Sequence, residues 1–202
     1  MKIVKEYIVN EKFTEESDPI RDLEIGMTPL IRKWLYEMYI KNYRINKDGS
    51  ISVKERIDLH QHNLFKNFKG ELPNYIKFKR VLGDFRASDC ELISLRGVPQ
   101  IVQGNFCVGF NQLTSLKYGP KFTAGGYYCH NNNLKSLEGV AEIITGVFEC
   151  SGQIIEFDPR YLPKIVGEEF RHRLEKNGKP VTPKEILKYV KTPKDKILYR
   201  TD

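Results

Sequence analysis

Glycine, apolar and polar positions return along this chain with a fixed step of 21 residues. Glycine stands at Gly83, Gly104, Gly125, Gly146 and Gly167. Two residues after each of the first four comes an aromatic (Phe85, Phe106, Tyr127, Phe148), and two further on a small or apolar residue (Ala87, Val108, Cys129, Cys150). Cys90, Asn111, Asn132 and Gln153 follow in register, then Leu92, Leu113, Leu134 and Ile155. Leu95, Leu116 and Leu137 complete the first three units. A register held over four units is the mark of a repeat array. Alternation across Phe106-Cys107-Val108 predicts a short strand with every second side chain pointing inward. The Asn or Cys falls where the chain turns off that strand, and an inward Asn there can pair the backbone groups that a bend leaves open. The rest of the unit, such as Leu113-Thr114-Ser115-Leu116 with Gly119-Pro120, is expected to carry the chain round the back. No single coil can bury its own inner face, so neighbours must stack. The order apolar-x-apolar-x-x-Asn/Cys-x-apolar is that of a leucine-rich repeat.

The flanks predict end caps. Residues 1–27 read as two short helical segments, with Ile3, Tyr7 and Ile8 at helical spacing and Ser17-Asp18-Pro19 as a cap. Thr28-Pro29 opens a helix expected to reach about Tyr43. Leu30, Ile31, Trp34, Leu35, Met38 and Tyr39 form its apolar face, suited to covering the open end of the array. Asn46 to Ser50 is a turn around Asp48-Gly49 that lacks the ligand spacing of a calcium loop. Ile51 and Val53 alternate as a strand. Ile57-Asp58-Leu59, His62 and Leu64 fit a first, irregular coil with an insertion around 66–77, and His62 is expected as a buried turn residue. The fourth coil decays at Asp158, where Pro159 to Pro163 rebuild the turn, and Phe170 and Leu174 are expected to begin a partial last strand. Beyond Asn177-Gly178, Thr182, Pro183 and Glu185 start a short helix with Ile186, Leu187 and Val190 on its apolar face. The expected class is therefore α/β: a short leucine-rich-repeat-like solenoid with a parallel strand face, capped by helices at both ends. Its parts are a helical cap (1–50), the array (51–170, regular coils about 83–166) and a basic helical cap and tail (171–202).

Composition adds limits. The chain has 202 residues, 40% apolar, with 11 Phe and 11 Tyr, enough for one core and unlike a disordered chain. No run of about 18 apolar residues is present. Residues 1–6 lack a signal-peptide core, so a cytoplasmic protein is expected. Cys90, Cys107, Cys129 and Cys150 form no Cys-x-x-Cys pair. The register explains Cys129 and Cys150 as one inward column and Cys90 as a turn position, structural thiols in a reducing compartment, while it points Cys107 outward, and a zinc site is poorly supported. Nothing calls for a cofactor. Of the net charge of +7, +6 falls between Arg171 and Asp202, where ten Lys/Arg face four Asp/Glu. Any electrostatic argument about partners concerns that segment.

The segment from Asn42 to Val53, leading into Ile57-Asp58-Leu59, is followed by Gly104-Asn105-Phe106-Cys107 and Asn111-Gln112-Leu113-Thr114-Ser115-Leu116. Together they resemble the leucine-rich-repeat-like proteins encoded by tailed bacteriophages, and Phe13 to Ile20 is similar to N-terminal segments of the same group. The resemblance spans about residues 13–155. Ala141, standing where sibling coils carry Pro99 and Pro120, and the weak fourth coil depart from the pattern. It implies a phage protein acting in the bacterial cytoplasm on host or defence machinery, and it supplies no catalytic residues.

Outward strand positions of stacked coils form columns. One is Asp58, Arg86, Cys107, Tyr128, Glu149; the next is His60, Ser88, Gly109, His130, Ser151, flanked by Phe110 and Asn131. Cys107, Phe110, Tyr128 and His130 make an aromatic centre with Arg86 and Glu149 at the rim, the composition of a protein-binding patch. The same residues also fit an ordinary exposed scaffold face, and Phe110 could turn inward. A nucleophile reading of Cys107 with His130 and Asp58 or Glu149 has residue types alone behind it, and no oxyanion donor. The rival surface is the tail. Lys184, Lys188 and Lys191 fall on one helical stripe, with Lys194, Lys196 and Arg200 beyond and Tyr189 and Tyr199 interleaved. Such a stripe can track nucleic-acid phosphates, although a solvated helical face explains it too. A structural or oligomeric particle component is a third reading.

Overall fold

The computed structural model describes residues 27–60 and 70–200. The predicted helical segments of residues 1–26, the turn residue His62 and Leu64 lie outside the described residues. Helix α1 (Thr28–Glu37) is followed by β1 (Tyr43–Ile45) and β2 (Ile51–Val53), an antiparallel pair around the Asp48-Gly49 turn. Ile31, Trp34, Leu35 and Met38 are buried, and the Trp34 ring meets Phe78 at 6.1 Å, so the helix seats on the end of the stack. It ends earlier than its spacing predicts. Tyr39 turns into the left-handed region (φ 56°), and both Tyr39 and Leu30 lie exposed, off the apolar face expected for them.

From β3 (Ile57–Asp58) onward each coil contributes two short strands. β4 (Phe78–Val81), β6 (Ile101–Val102), β8 (Phe122–Thr123), β10 (Ile143–Ile144) and β13 (Ile165–Val166) continue β2 in one parallel stack. β5 (Phe85–Arg86), β7 (Phe106–Cys107), β9 (Tyr127–Tyr128), β11 (Phe148–Glu149) and β14 (Phe170–His172) form the other, with β3 at one edge. The architecture is α/β and solenoid-like, with two seven-stranded sheets. The second strand corrects the one-strand-per-coil expectation. The pair just before each glycine corner (Ile101-Val102, Phe122-Thr123, Ile143-Ile144) is too short to show alternation, yet it pairs coil to coil in exact register steps.

The recurrent glycines sit at the corner between the two sheets. A Cβ on Gly104 would lie 2.7 Å from the Gly83 carbonyl carbon, and one on Gly125 2.7 Å from that of Gly104. Stacked corners therefore approach too closely for any side chain. Inside, Phe85, Phe106, Tyr127, Phe148 and Phe170 form one fully buried row, with successive centroids 5.5, 4.9, 5.8 and 4.8 Å apart. The polar turn column behaves as its chemistry requires. Asn111 Oδ1 accepts from the Cys90 and Leu92 amides at 3.0 and 2.9 Å, while its Nδ2 donates to the Ala87 and Val108 carbonyls at 2.8 and 3.0 Å. Asn132 bonds the next coil in the same way, and Cys90 sends its thiol toward the Leu59 carbonyl at 3.2 Å. Bends whose backbone would otherwise be buried unpaired are thus closed by side chains.

The stack runs further than the repeat pattern. Asp158 caps a single turn (Pro159–Tyr161), and β13 and β14 complete a full coil. β15 (Leu174–Lys176) pairs with β12 (Ile155–Glu156) and turns back through Asn177-Gly178 (φ 53° and 70°) into β16 (Lys179–Pro180). The C-terminal helix is only α2 (Pro183–Ile186), with Thr182 accepting from the Glu185 amide, and turns carry the chain on to Val190. β17 (Ile197–Tyr199) then joins β14 in parallel as the outermost strand. The expected basic tail is therefore part of the sheet, with Ile197 buried.

Candidate functional site

Register fixes the outward column of the β3–β17 sheet as Asp58, Arg86, Cys107, Tyr128, Glu149, Arg171 and Leu198. Seven strands at the usual spacing make this face roughly 29 Å wide. Arg86, Cys107, Tyr128 and Glu149 thus stand together as the spacing predicts. Arg171 extends the column. Its signal was Phe170, one aromatic step beyond Phe148 with a single extra residue.

Two glycines shape the centre of the face. Gly126 precedes Tyr127 on the outward side, and a Cβ there would lie 2.5 Å from the Tyr128 ring. Gly109 sits beneath the His130 imidazole, 2.9 Å from where a Cβ would be. Each ring therefore sits close over bare backbone, Tyr128 over its own strand and His130 over the preceding coil. Phe110 meets His130 edge-on, with centroids 5.0 Å apart and an interplanar angle of 88°. Phe110 does not turn inward: it is 57% exposed. It occupies a left-handed position (φ 54°) whose equivalents in the other coils are Asp89, Asn131 and Gly152. Asp, Asn and Gly tolerate that region, whereas a residue without local hydrogen bonding pays about 1–2 kcal/mol. Phe110 is the bulky exception in that column.

The rim differs from the expectation in one respect. Glu149 is not a free carboxylate, being only 9% exposed. It accepts from the Ser151 hydroxyl and lies 3.4 Å from Arg171, which also bonds Glu169 at 2.8 Å. The column places Glu149 between Tyr128 and Arg171, so its charge is spent inside the face. Arg86 is 2.8 Å from Asp84, whose other oxygen accepts from the Asn105 amide at 2.8 Å. Burial pushes the Asp84 carboxyl up, but these donors together hold it below the usual carboxylate range.

Cys107 is half-buried, and burial pushes its thiol up to about 11, outweighing the pull of Arg86. Burial likewise lowers the affinity of His130 for a proton, against a smaller opposing effect of Glu149. At neutral pH Cys107 is a thiol and His130 a neutral imidazole, whose Nδ1 has no hydrogen-bond partner among the described residues. The arrangement offers a contact surface of rings, one thiol and flanking guanidinium groups.

In the tail, Lys184, Lys188, Lys191, Lys194 and Lys196 are all exposed. They do not share one helical stripe. Only Lys184 lies in α2; Lys188 follows in a turn, Lys191 bridges to Ile165, and Lys194 and Lys196 flank Asp195 in a single turn before β17. The helix ends at Ile186, well before Thr192-Pro193, and turns carry the backbone from there. Sequence reasoning missed a groove on the other sheet, beside Lys77, Lys79, Arg96 and Tyr118. Tyr118 could have been found there, since it falls 21 residues from Gly97 and Gly139. No helix among the described residues is long and apolar enough to cross a membrane. Comparison with known proteins finds no family model, no curated protein and no solved structure that matches this chain.

Proposed function

We propose that this chain is a non-enzymatic, leucine-rich-repeat-like binding protein of phage origin, working in the bacterial cytoplasm. It occupies a protein of the host or phage, and so inhibits host or defence machinery sterically, through the outward face of the β3–β17 sheet. The observation that carries this reading is Phe110. An aromatic is kept exposed in a backbone conformation that the sibling coils give to Asp89, Asn131 and Gly152. Strain of this kind, where the fold has cheaper solutions, collects at functional surfaces. The support around it is consistent: Tyr128 and His130 are pinned on glycine backbone, so little side-chain entropy is lost on contact. An exposed aromatic beside half-buried rings on a rigid patch, with arginines at its sides, has the composition of the energetic centre of a protein interface.

The test is affinity capture from infected cells, followed by titration of the purified partner. Phe110→Asn with Tyr128→Ala is expected to abolish capture, and either alone to weaken the complex by roughly thirtyfold, as for a hot-spot residue. Lys184, Lys188 and Lys191 changed to Glu should leave it intact. The tail supports a second reading, a nucleic-acid-binding accessory protein, because all five lysines are exposed. That reading predicts the reverse pattern, with affinity falling steeply as salt rises.

A further inference from the structure

On the sheet opposite the proposed protein-binding face, a groove of about 770 Å³ opens between the Asp48–Ser50 turn, the residues leading into β4 and the coil corner at Arg96. Lys77 and Lys79 flank the buried Phe78, so strand alternation sends both to the outer side, into this groove. Arg96 lies over the Tyr118 ring with its Cζ 4.4 Å from the centroid, and its Nη2 donates to the Tyr118 hydroxyl at 3.0 Å. Tyr118 remains 52% exposed. Two carboxylates, Asp48 and Glu71, also line the groove; Asp48 is engaged by the Ser50 amide and hydroxyl at 3.0 and 2.5 Å and its charge also faces Lys79, so Lys77 is the lysine an incoming anion meets first.

The backbone supplies an independent sign. Tyr118 has φ 70°, at the corner where the coils on either side place Gly97 (φ 83°) and Gly139 (φ 91°). In those coils a Cβ would lie 2.4 Å from backbone of the preceding coil. The repeat therefore asks for glycine at this corner, and one coil carries a tyrosine there in a conformation that L side chains rarely adopt. Its ring is held by a guanidinium beside a groove with lysines at its wall.

We propose that this groove is a binding site for a planar ring bearing an anionic group, of the nucleoside monophosphate class. The ring stacks on the open side of Tyr118, with Arg96 behind it. The phosphate meets Lys77 and Lys79. The apolar floor, including Leu72 and Val98, accepts the sugar edge. The same chemistry is presented by a free mononucleotide and by the end of a single strand.

Titration calorimetry with AMP, inorganic phosphate and a 5′-phosphorylated tetranucleotide tests it on the full chain. Saturable AMP binding is expected, at least about tenfold tighter than phosphate alone, because stacking is worth about that much. Equal affinity for the tetranucleotide identifies a strand end as the source, and exclusion of it identifies the free nucleotide. Tyr118→Gly should remain folded and at least as heat-stable as the parent, while AMP affinity falls about tenfold or more. Lys77→Ala with Lys79→Ala should lower AMP affinity toward that of adenosine. Absence of saturable AMP binding, or unchanged binding in the stable Tyr118→Gly protein, overturns the proposal.

Discussion

The ring of Phe110 stands perpendicular to that of His130, one coil further along, with centroids 5.0 Å apart. Two opposing effects meet at this contact. The left-handed backbone of Phe110 costs about 1–2 kcal/mol, and the edge-on ring contact returns about 0.5–1.5 kcal/mol. Phe110→Asn should therefore change stability little in the parent chain. In a His130→Ala background, where the contact is already gone, it should stabilise by about 1 kcal/mol. Urea unfolding of the four proteins in the cycle measures both quantities. A coupling near zero would show that the rings do not interact.

The corner glycines act through proximity. A methyl on Gly125 would meet the Gly104 carbonyl carbon at 2.7 Å and Asn105 Oδ1 at 2.6 Å, the same oxygen that accepts from the Gly126 amide. Gly125→Ala should cost about 1–3 kcal/mol, since overpacked backbone cannot yield cheaply. Gly178 is the control, with open space around its Cβ and φ 70°. Gly178→Ala should cost only the conformational share, about 1 kcal/mol. Thermal melts that rank the two equally would refute a steric role for the corner.

His172 gives a pH dependence with a definite sign. The ring is fully buried between Phe170 and Tyr199, and its Nδ1 accepts from the Leu174 amide at 3.2 Å. Burial lowers its pKa to about 4. Above about pH 6.5 the imidazole is neutral in folded and unfolded chains alike. Between there and about pH 4 only the unfolded chain takes up the proton, so stability falls as pH drops, by about 1.4 kcal/mol per unit. His172→Asn keeps an acceptor at the same place and should remove this slope from denaturation curves. A slope unchanged by the substitution would assign it to other groups.

Cys107 should be a poor nucleophile. With its thiol pushed up to about 11, its thiolate at pH 8 is roughly a hundredfold scarcer than that of an ordinary cysteine. Reaction with a thiol reagent should be correspondingly slow at pH 8 and still accelerating through pH 10. Fast stoichiometric labelling of Cys107 at neutral pH would reopen the nucleophile reading.

What the chain made legible was the part governed by the 21-residue step. Phe106 to Tyr127, Asn111 to Asn132 and the turn-position Cys90 all lie where that step puts them, because each fills the same place in successive coils. The second strand was hidden for a physical reason. Ile101-Val102 and its counterparts are two-residue strands, and alternation needs more residues than that to show. Arg171 was hidden by one extra residue between Phe148 and Phe170. β17 was hidden by distance, since a hairpin, a helix and two turns separate Ile197 from the strand it completes. The strained aromatics illustrate a further limit. The sequence aligns Tyr118 with Gly97 and Phe110 with Asn131, but only backbone angles reveal what those substitutions cost.

The return of β17 to the outer edge beside β14 makes this strand a structural rim. Residues 197–199 shield Phe170 and His172 and border Arg171, so trimming them would unseal one lip of the stack and move the boundary of the proposed contact face. A reporter fused downstream of β17 should therefore be separated by a spacer, because it would otherwise crowd the very sheet whose capture it is meant to reveal.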